Sequence, residues 1–292
     1  MIDHFRPREY HRPNNLREAT SLLSSFGKKA KVIAGGTDIL VNKPSGLECL
    51  VDVASLDLDY IRKDEDGIHI GAATTLDLIE SSPMLSSGPY AVLSEAASVV
   101  ATPTVRNMAT IGGNICNASP AADLPLALMV LDSTVRTVSL NGSRILPIGD
   151  FFEDVNKTKL RDDELLVEVH IPLSAETTGA SFMKLRRHQT SVDIALVNVA
   201  AELTCPDDIC EVARIALGAV AETPIYAKKA EELLTGKKLN EELIQKAAEA
   251  AAEESRPIDD LRASAGYRRR MVGVLVKRAL EVSVRRCATW RK

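Results

Sequence analysis

Two glycine pairs constrain this chain more than any other feature: Gly35-Gly36 inside KVIAGGTDILV, and Gly112-Gly113 inside VRNMATIGGNICNASPAADLP. In the first, an apolar run is broken by two residues that turn freely, which predicts a strand, a sharp turn and a short apolar segment. Glycine N–H groups can approach a phosphate closely, and Thr37 adds a hydroxyl donor, so the turn has the chemistry of a pyrophosphate site. Taken alone it reads first as an ordinary strand-ending turn. The second pair lies in a stretch rich in Gly, Asn, Ser and Pro, which predicts a long loop with a short strand or turn inside it, and long loops inside compact regions usually serve function. Asp123, nine residues beyond Asn114, offers a carboxylate that could accept from ribose hydroxyls. Two such loops shift the reading toward a dinucleotide, and spacing alone leaves a pair of plain glycine turns as the alternative. Neither is a Rossmann or Walker A fingerprint, because no G-x-G-x-x-G and no G-K-[ST] at the required spacing occurs.

The surrounding pattern is α+β. Leu16, Ala19, Leu22 and Leu23 recur at helical spacing behind Asn14 and Asn15, predicting a capped helix before the first strand. LECLVDVASL and GIHIGAATTL read as strands, and TTLDLIES opens another capped helix. Residues 89–100 are helical in pattern, with Pro103 expected to close them. STVRTVSL, SRILPIGDFF and ELLVEVHIPL continue as strands and turns. A domain boundary is expected near residues 174–180, where SAETTGA is polar and turn-rich. Beyond it SFMKLRRH, IALVNVAAELT and EVARIALGAV predict an antiparallel sheet with PDD as a hairpin turn, and the chain from about residue 226 is helical.

Composition narrows the function. With 292 residues and 45% hydrophobic content the chain can bury a sizeable core, yet no apolar run reaches the roughly 18 residues of a membrane span. The polar, proline-interrupted start lacks the apolar core of a signal peptide, so cytoplasm is the expected location. Cys49, Cys116, Cys205, Cys210 and Cys287 are scattered without a C-x-x-C, which predicts neither disulfides nor a cluster or zinc site. The histidines, His4, His11, His69, His170 and His188, show no ligand spacing and no paired nucleophile. The formal net charge of −4 conceals a basic end: residues 267–292 hold nine Lys/Arg against Glu281 alone. Apolar Met271, Val274, Leu275, Leu280 and Val282 interleave at helical spacing, so the end reads as a helix with a solvated basic face, able to meet an acidic partner, rather than a nucleic-acid arm.

KVIAGGTDI and RNMATIGGNICNASPAADLP resemble the two FAD-binding motifs of the flavin subunits of molybdenum hydroxylases, the family of xanthine dehydrogenase and of the carbon monoxide dehydrogenase medium subunit. LLVEVHIP, FMKLRRH, DIALVNVA, ARIALGAVAETP and DLRASAGYRRRMVGVLVKRAL extend the resemblance over nearly the whole chain. It implies a PCMH-type FAD-binding region, residues 1–176, of two subdomains (about 1–55 and 56–176). A C-terminal domain, 177–286, would follow, with a three-stranded antiparallel sheet plus helices and then a basic tail, 287–292. It also implies that Val32, Ile33, Ala34, Gly35, Gly36, Thr37, Asp38 and Ile39 surround the FAD pyrophosphate. Thr110, Ile111, Gly112, Gly113 and Asn114 would form a second clamp, Asp123 would meet the ribose or adenosine, and Leu166 and Lys184 would approach the flavin ring. Val100 stands where an aromatic residue lies against the cofactor in xanthine dehydrogenase, so the resemblance implies no stacking contact there, and Ala109 stands where a glycine is frequent in related subunits. No cysteine-rich insertion that could carry an extra cluster is present, so the implied cofactor of this chain is FAD alone. Molybdopterin and 2Fe-2S clusters would sit on a large and a small partner subunit, in a dimer of heterotrimers. The implied role is electron transfer from those clusters through FAD to an acceptor. A stand-alone FAD-dependent oxidoreductase and a flavin-free assembly protein are the rival readings. The organic substrate stays open, as do NAD, a quinone, ferredoxin and oxygen as acceptors.

Overall fold

The computed structural model describes residues 5–188 and 193–289. His4 and the last three residues of the expected 287–292 tail lie outside the described residues. Asn15 caps the first helix, Leu16–Phe26, by accepting from the Glu18 amide at 2.9 Å, and Glu18 returns a bond to the Asn14 amide. Its buried face, Ala19 and Leu23, packs with Cys49 and Val51 of a three-stranded parallel sheet and with Val53 just beyond it. That sheet runs Glu9–His11, Cys49–Asp52, Ala30–Ile33, which leaves Ala30–Ile33 at an edge.

A five-stranded antiparallel sheet forms the second unit, in the order Ile61–Lys63, Gly67–Gly71, Leu165–Pro172, Thr134–Ser139, Gly142–Pro147. Its third strand carries a bulge between Leu166 and Glu168. The extra residue changes which face each side chain takes. Leu165 and Val167 join the core beneath the parallel sheet, whereas Leu166, Val169 and Ile171 join the central core with Ile68, Ile70 and Val135.

Two local expectations are corrected. Residues 105–125 are more than a loop with a short strand or turn inside it: they contain a helix, Ile111–Asn117, and lead into Leu124–Val130. No periodicity announces the first of these, since its stability comes from the Thr110 cap, which accepts from the Gly113 amide, and from burial of Ile111 and Ile115. Pro103 does not close the preceding helix, which spans Ala91–Ser98; it opens the next, Pro103–Arg106, behind a Thr102 cap.

The last sheet holds three long strands, Thr178–Leu185, Val197–Thr204 and Val212–Gly218, joined by a two-residue edge strand, Ile225–Tyr226. Alternation divides its faces. Val197, Val199, Ala201, Ile215 and Leu217 pack on the helices Glu241–Glu254 and Ala265–Thr289, while Ala180, Phe182, Ala200 and Ala216 join the central core. The C-terminal helix therefore runs on to Thr289, past the expected start of the tail.

Candidate cofactor site

The first glycine loop leaves the carboxyl end of a parallel edge strand, where open parallel sheets present ligand-binding turns. Gly36 has φ of +69°, a left-handed conformation that suits glycine. Among the described residues, the amides of Gly35, Gly36, Thr37 and Asp38 donate to no protein acceptor. Successive free N–H groups at a turn form an anion-binding concavity. Asp38 is drawn aside by a 3.0 Å bond from the Asn42 side-chain amide. Val32 and Ala34 are partly buried and pack on the core under the parallel sheet, and Ile39 is buried.

Gly35 presses on the approach to the second loop: a Cβ built there would lie 1.7 Å from the Met108 carbonyl oxygen. The two loops are therefore in backbone contact. The second loop contributes differently from the first. Its amides are consumed internally, Ile111 donating to the Thr74 carbonyl at 3.0 Å, Gly112 to Ala72 at 2.9 Å, Gly113 to the Thr110 hydroxyl at 3.1 Å and Asn114 to the Thr110 carbonyl at 2.9 Å. What remains for a ligand is exposed Gly113 and the Asn114 Oδ1, a buried acceptor without a partner. Arg106 braces the loop from below, bonding Glu80 at 2.7 Å and the Val100 carbonyl at 3.2 Å. Val100 itself is a partly buried packing residue of the central core.

Asp123 and Lys184 meet each other. The Lys184 Nζ lies 2.5 Å from Asp123 Oδ2 and also donates to the Val99 carbonyl at 3.2 Å, and both side chains are nearly fully buried. Burial pushes the Asp123 carboxyl above the usual carboxylate range, against the Lys184 ammonium and the Asn198 amide, which favour the charged form. The structure thus gives Asp123 protein partners inside the chain. Asn198, which the motifs did not single out, is one of them, and only the strand register could have revealed it. Leu166 is buried in the central core with Ala72 and Ile111, a packing position in this structure.

Cys116, the thiol nearest in sequence to the second glycine pair, is pushed up to about 12 by burial, so it stays a neutral thiol near pH 7. Among the described residues no cluster of His, Cys, Asp and Glu could hold a metal ion, and no helix is long and apolar enough to cross a membrane.

Comparison with known proteins agrees with this layout. Residues 3–174 match the model of the FAD binding domain in molybdopterin dehydrogenase, and residues 180–282 match that of the CO dehydrogenase flavoprotein C-terminal domain. The carbon monoxide dehydrogenase medium chain of Hydrogenophaga pseudoflava is 34% identical over 96% of this chain and 98% of its own. A xanthine dehydrogenase FAD-binding subunit from Escherichia coli O157:H7 is 32% identical over 94% of this chain and 95% of its own. The solved carbon monoxide dehydrogenase from H. pseudoflava that lacks the Mo-pyranopterin moiety superimposes with a TM-score of 0.92 at 35% identity, covering 98% of this chain and all of the other. The chain belongs to the family of FAD-binding medium subunits of molybdopterin dehydrogenases, a family of oxidoreductases.

Proposed function

We propose that this chain holds one FAD without a covalent bond and relays electrons from the iron–sulfur clusters of a partner subunit to an external acceptor. Its setting is a molybdenum-containing dehydrogenase assembled as a dimer of heterotrimers in the cytoplasm. The observation that carries the reading is the run of four free amides from Gly35 to Asp38, in backbone contact with the second glycine loop. When bound, FAD supplies the redox chemistry. The protein supplies position and charge: the first loop takes the pyrophosphate, while Gly113, Asn114 and the Asp123–Lys184 pair approach the rest of the cofactor. The boundary of the FAD-binding region is placed at about residue 176, where the connection leads into the strand Thr178–Leu185.

The relatives support a subunit role, since their names describe FAD subunits and medium chains of dehydrogenases for different substrates. The chemistry performed on the organic molecule is accordingly assigned to a partner. The test is direct. The purified chain should show the visible absorption of a flavoprotein, and acid precipitation should release all of the flavin into the supernatant. A colourless folded chain that takes up no added FAD rejects the flavin reading, and flavin retained on the denatured pellet rejects the non-covalent one.

A further inference from the structure

Lys184, Asn198 and Gly218 are direct neighbours on three adjacent antiparallel strands, so they share one face of the sheet. The first brings an ammonium to Asp123, the second an amide, and the third leaves space. Asn198 is fully buried. Its Nδ2 donates to Asp123 Oδ1 at 2.8 Å and to the Ala122 carbonyl at 3.1 Å. Both partners are acceptors, which dictates the orientation of the amide, since the reverse one would set oxygen against oxygen. The Asn198 Oδ1 is buried with no partner, a cost that an aliphatic side chain in the same strand would avoid. A Cβ on Gly218 would stand 2.3 Å from that oxygen, so the amide fits only beside a glycine.

We propose that Asn198 is a positioning residue for FAD, holding the Asp123 carboxylate in place beside Lys184, with Gly218 providing the room its amide needs. The inference rests on the reading of Asp123 as a cofactor contact. The two oxygens of the carboxylate are divided, Oδ2 to Lys184 and Oδ1 to Asn198. Without the amide, Oδ1 loses its donor. Burial then favours the protonated acid more strongly, against the Lys184 ammonium and the nearby Arg186.

The experiment is titration of FAD into flavin-stripped wild-type chain, Asn198→Ala, Asn198→Asp and Gly218→Ala, reading Kd by fluorescence at pH 6, 7 and 8 and folding by circular dichroism. Asn198→Ala should raise Kd about tenfold at pH 7, and its loss of FAD on acidification should begin at higher pH than in the wild type. Gly218→Ala, which crowds the amide without removing it, should shift Kd in the same direction. Asn198→Asp keeps the shape but sets an acceptor against an acceptor. Its Kd should be raised most at pH 8 and should recover toward pH 6, as the new carboxyl takes a proton and donates again. That opposite slope separates a hydrogen bond from mere packing. Wild-type Kd values and pH profiles in folded Asn198→Ala and Asn198→Asp overturn the inference and leave the flavin reading intact. If Asn198→Ala does not fold, a wild-type pH profile in Asn198→Asp overturns it alone. A wild-type chain that binds no FAD brings down both.

Discussion

At Gly36 a side chain would meet two obstacles. The backbone is left-handed, which costs an L-residue about 1–2 kcal/mol, and a Cβ would sit 3.2 Å from Leu40 Cδ1 and 3.5 Å from Ile33 Cδ1. Gly36→Val should therefore reshape the loop and scatter the four free amides, while the hydrophobic cores, which lie elsewhere, keep the chain folded. The expected product is a colourless protein with native circular dichroism, melting a few degrees lower. Full flavin occupancy in that variant would reduce the loop to a plain turn. Gly35 is small for another reason: its neighbour is the Met108 carbonyl, so a side chain there would force the two loops apart rather than distort one of them.

At the level of elements, the sheet Thr178–Tyr226 couples the C-terminal helices to the FAD-binding region through rows of paired side chains. Besides Lys184 and Asn198, Glu202 and Arg214 are cross-strand partners, and Arg214 bridges Glu202 and Asp132 at 2.8 Å each. Burial pushes the Glu202 carboxyl up to about 7, opposed by the Arg214 guanidinium and reinforced by Asp132. The folded chain thus keeps this proton up to about pH 7, whereas the unfolded chain releases it near the ordinary glutamate value of 4.5. Between those values the native state binds more protons, so the stability contribution falls as pH rises through the window and is level above it. Glu202→Gln removes the titration. Its stability relative to the wild type should rise by on the order of 3 kcal/mol between pH 4.5 and 7, measured as urea midpoints at the two ends. Parallel profiles for the two proteins would show that Glu202 titrates as an ordinary carboxylate.

For the whole molecule, three cores are joined by the bulged strand Leu165–Pro172 and by the two-faced C-terminal sheet, and the contact of Gly35 with Met108 and the Asp123–Lys184 pair lie where the pieces meet. Such a chain has a place for a flavin and, among the described residues, no metal-ligand cluster. Isolated and loaded with FAD, it should exchange electrons with an artificial dye yet turn over no organic hydroxylase substrate. Adding the iron–sulfur and molybdenum subunits should restore substrate-driven bleaching of the flavin. Turnover by the chain alone at roughly 1–1000 per second would favour the stand-alone flavoenzyme instead.

What the amino-acid order determines by itself is local. The Asn15 and Thr75 caps, the alternation of Val197, Val199 and Ala201, and the glycine pairs all express preferences within a turn or a few strand residues, so they were readable, as was the family resemblance they carry. The helix Ile111–Asn117 was not, because its seven residues include two glycines and two asparagines and it persists through burial rather than propensity. Which loop keeps its amides free was also beyond local pattern. The second loop gives the amides of Ile111 and Gly112 to the carbonyls of Thr74 and Ala72, about forty residues upstream, and those of Gly113 and Asn114 to Thr110, while among the described residues the first meets no acceptor. The same holds for Asp123: its neighbours Lys184 and Asn198 come together only through antiparallel register, a long-range property that no nearest-neighbour preference encodes.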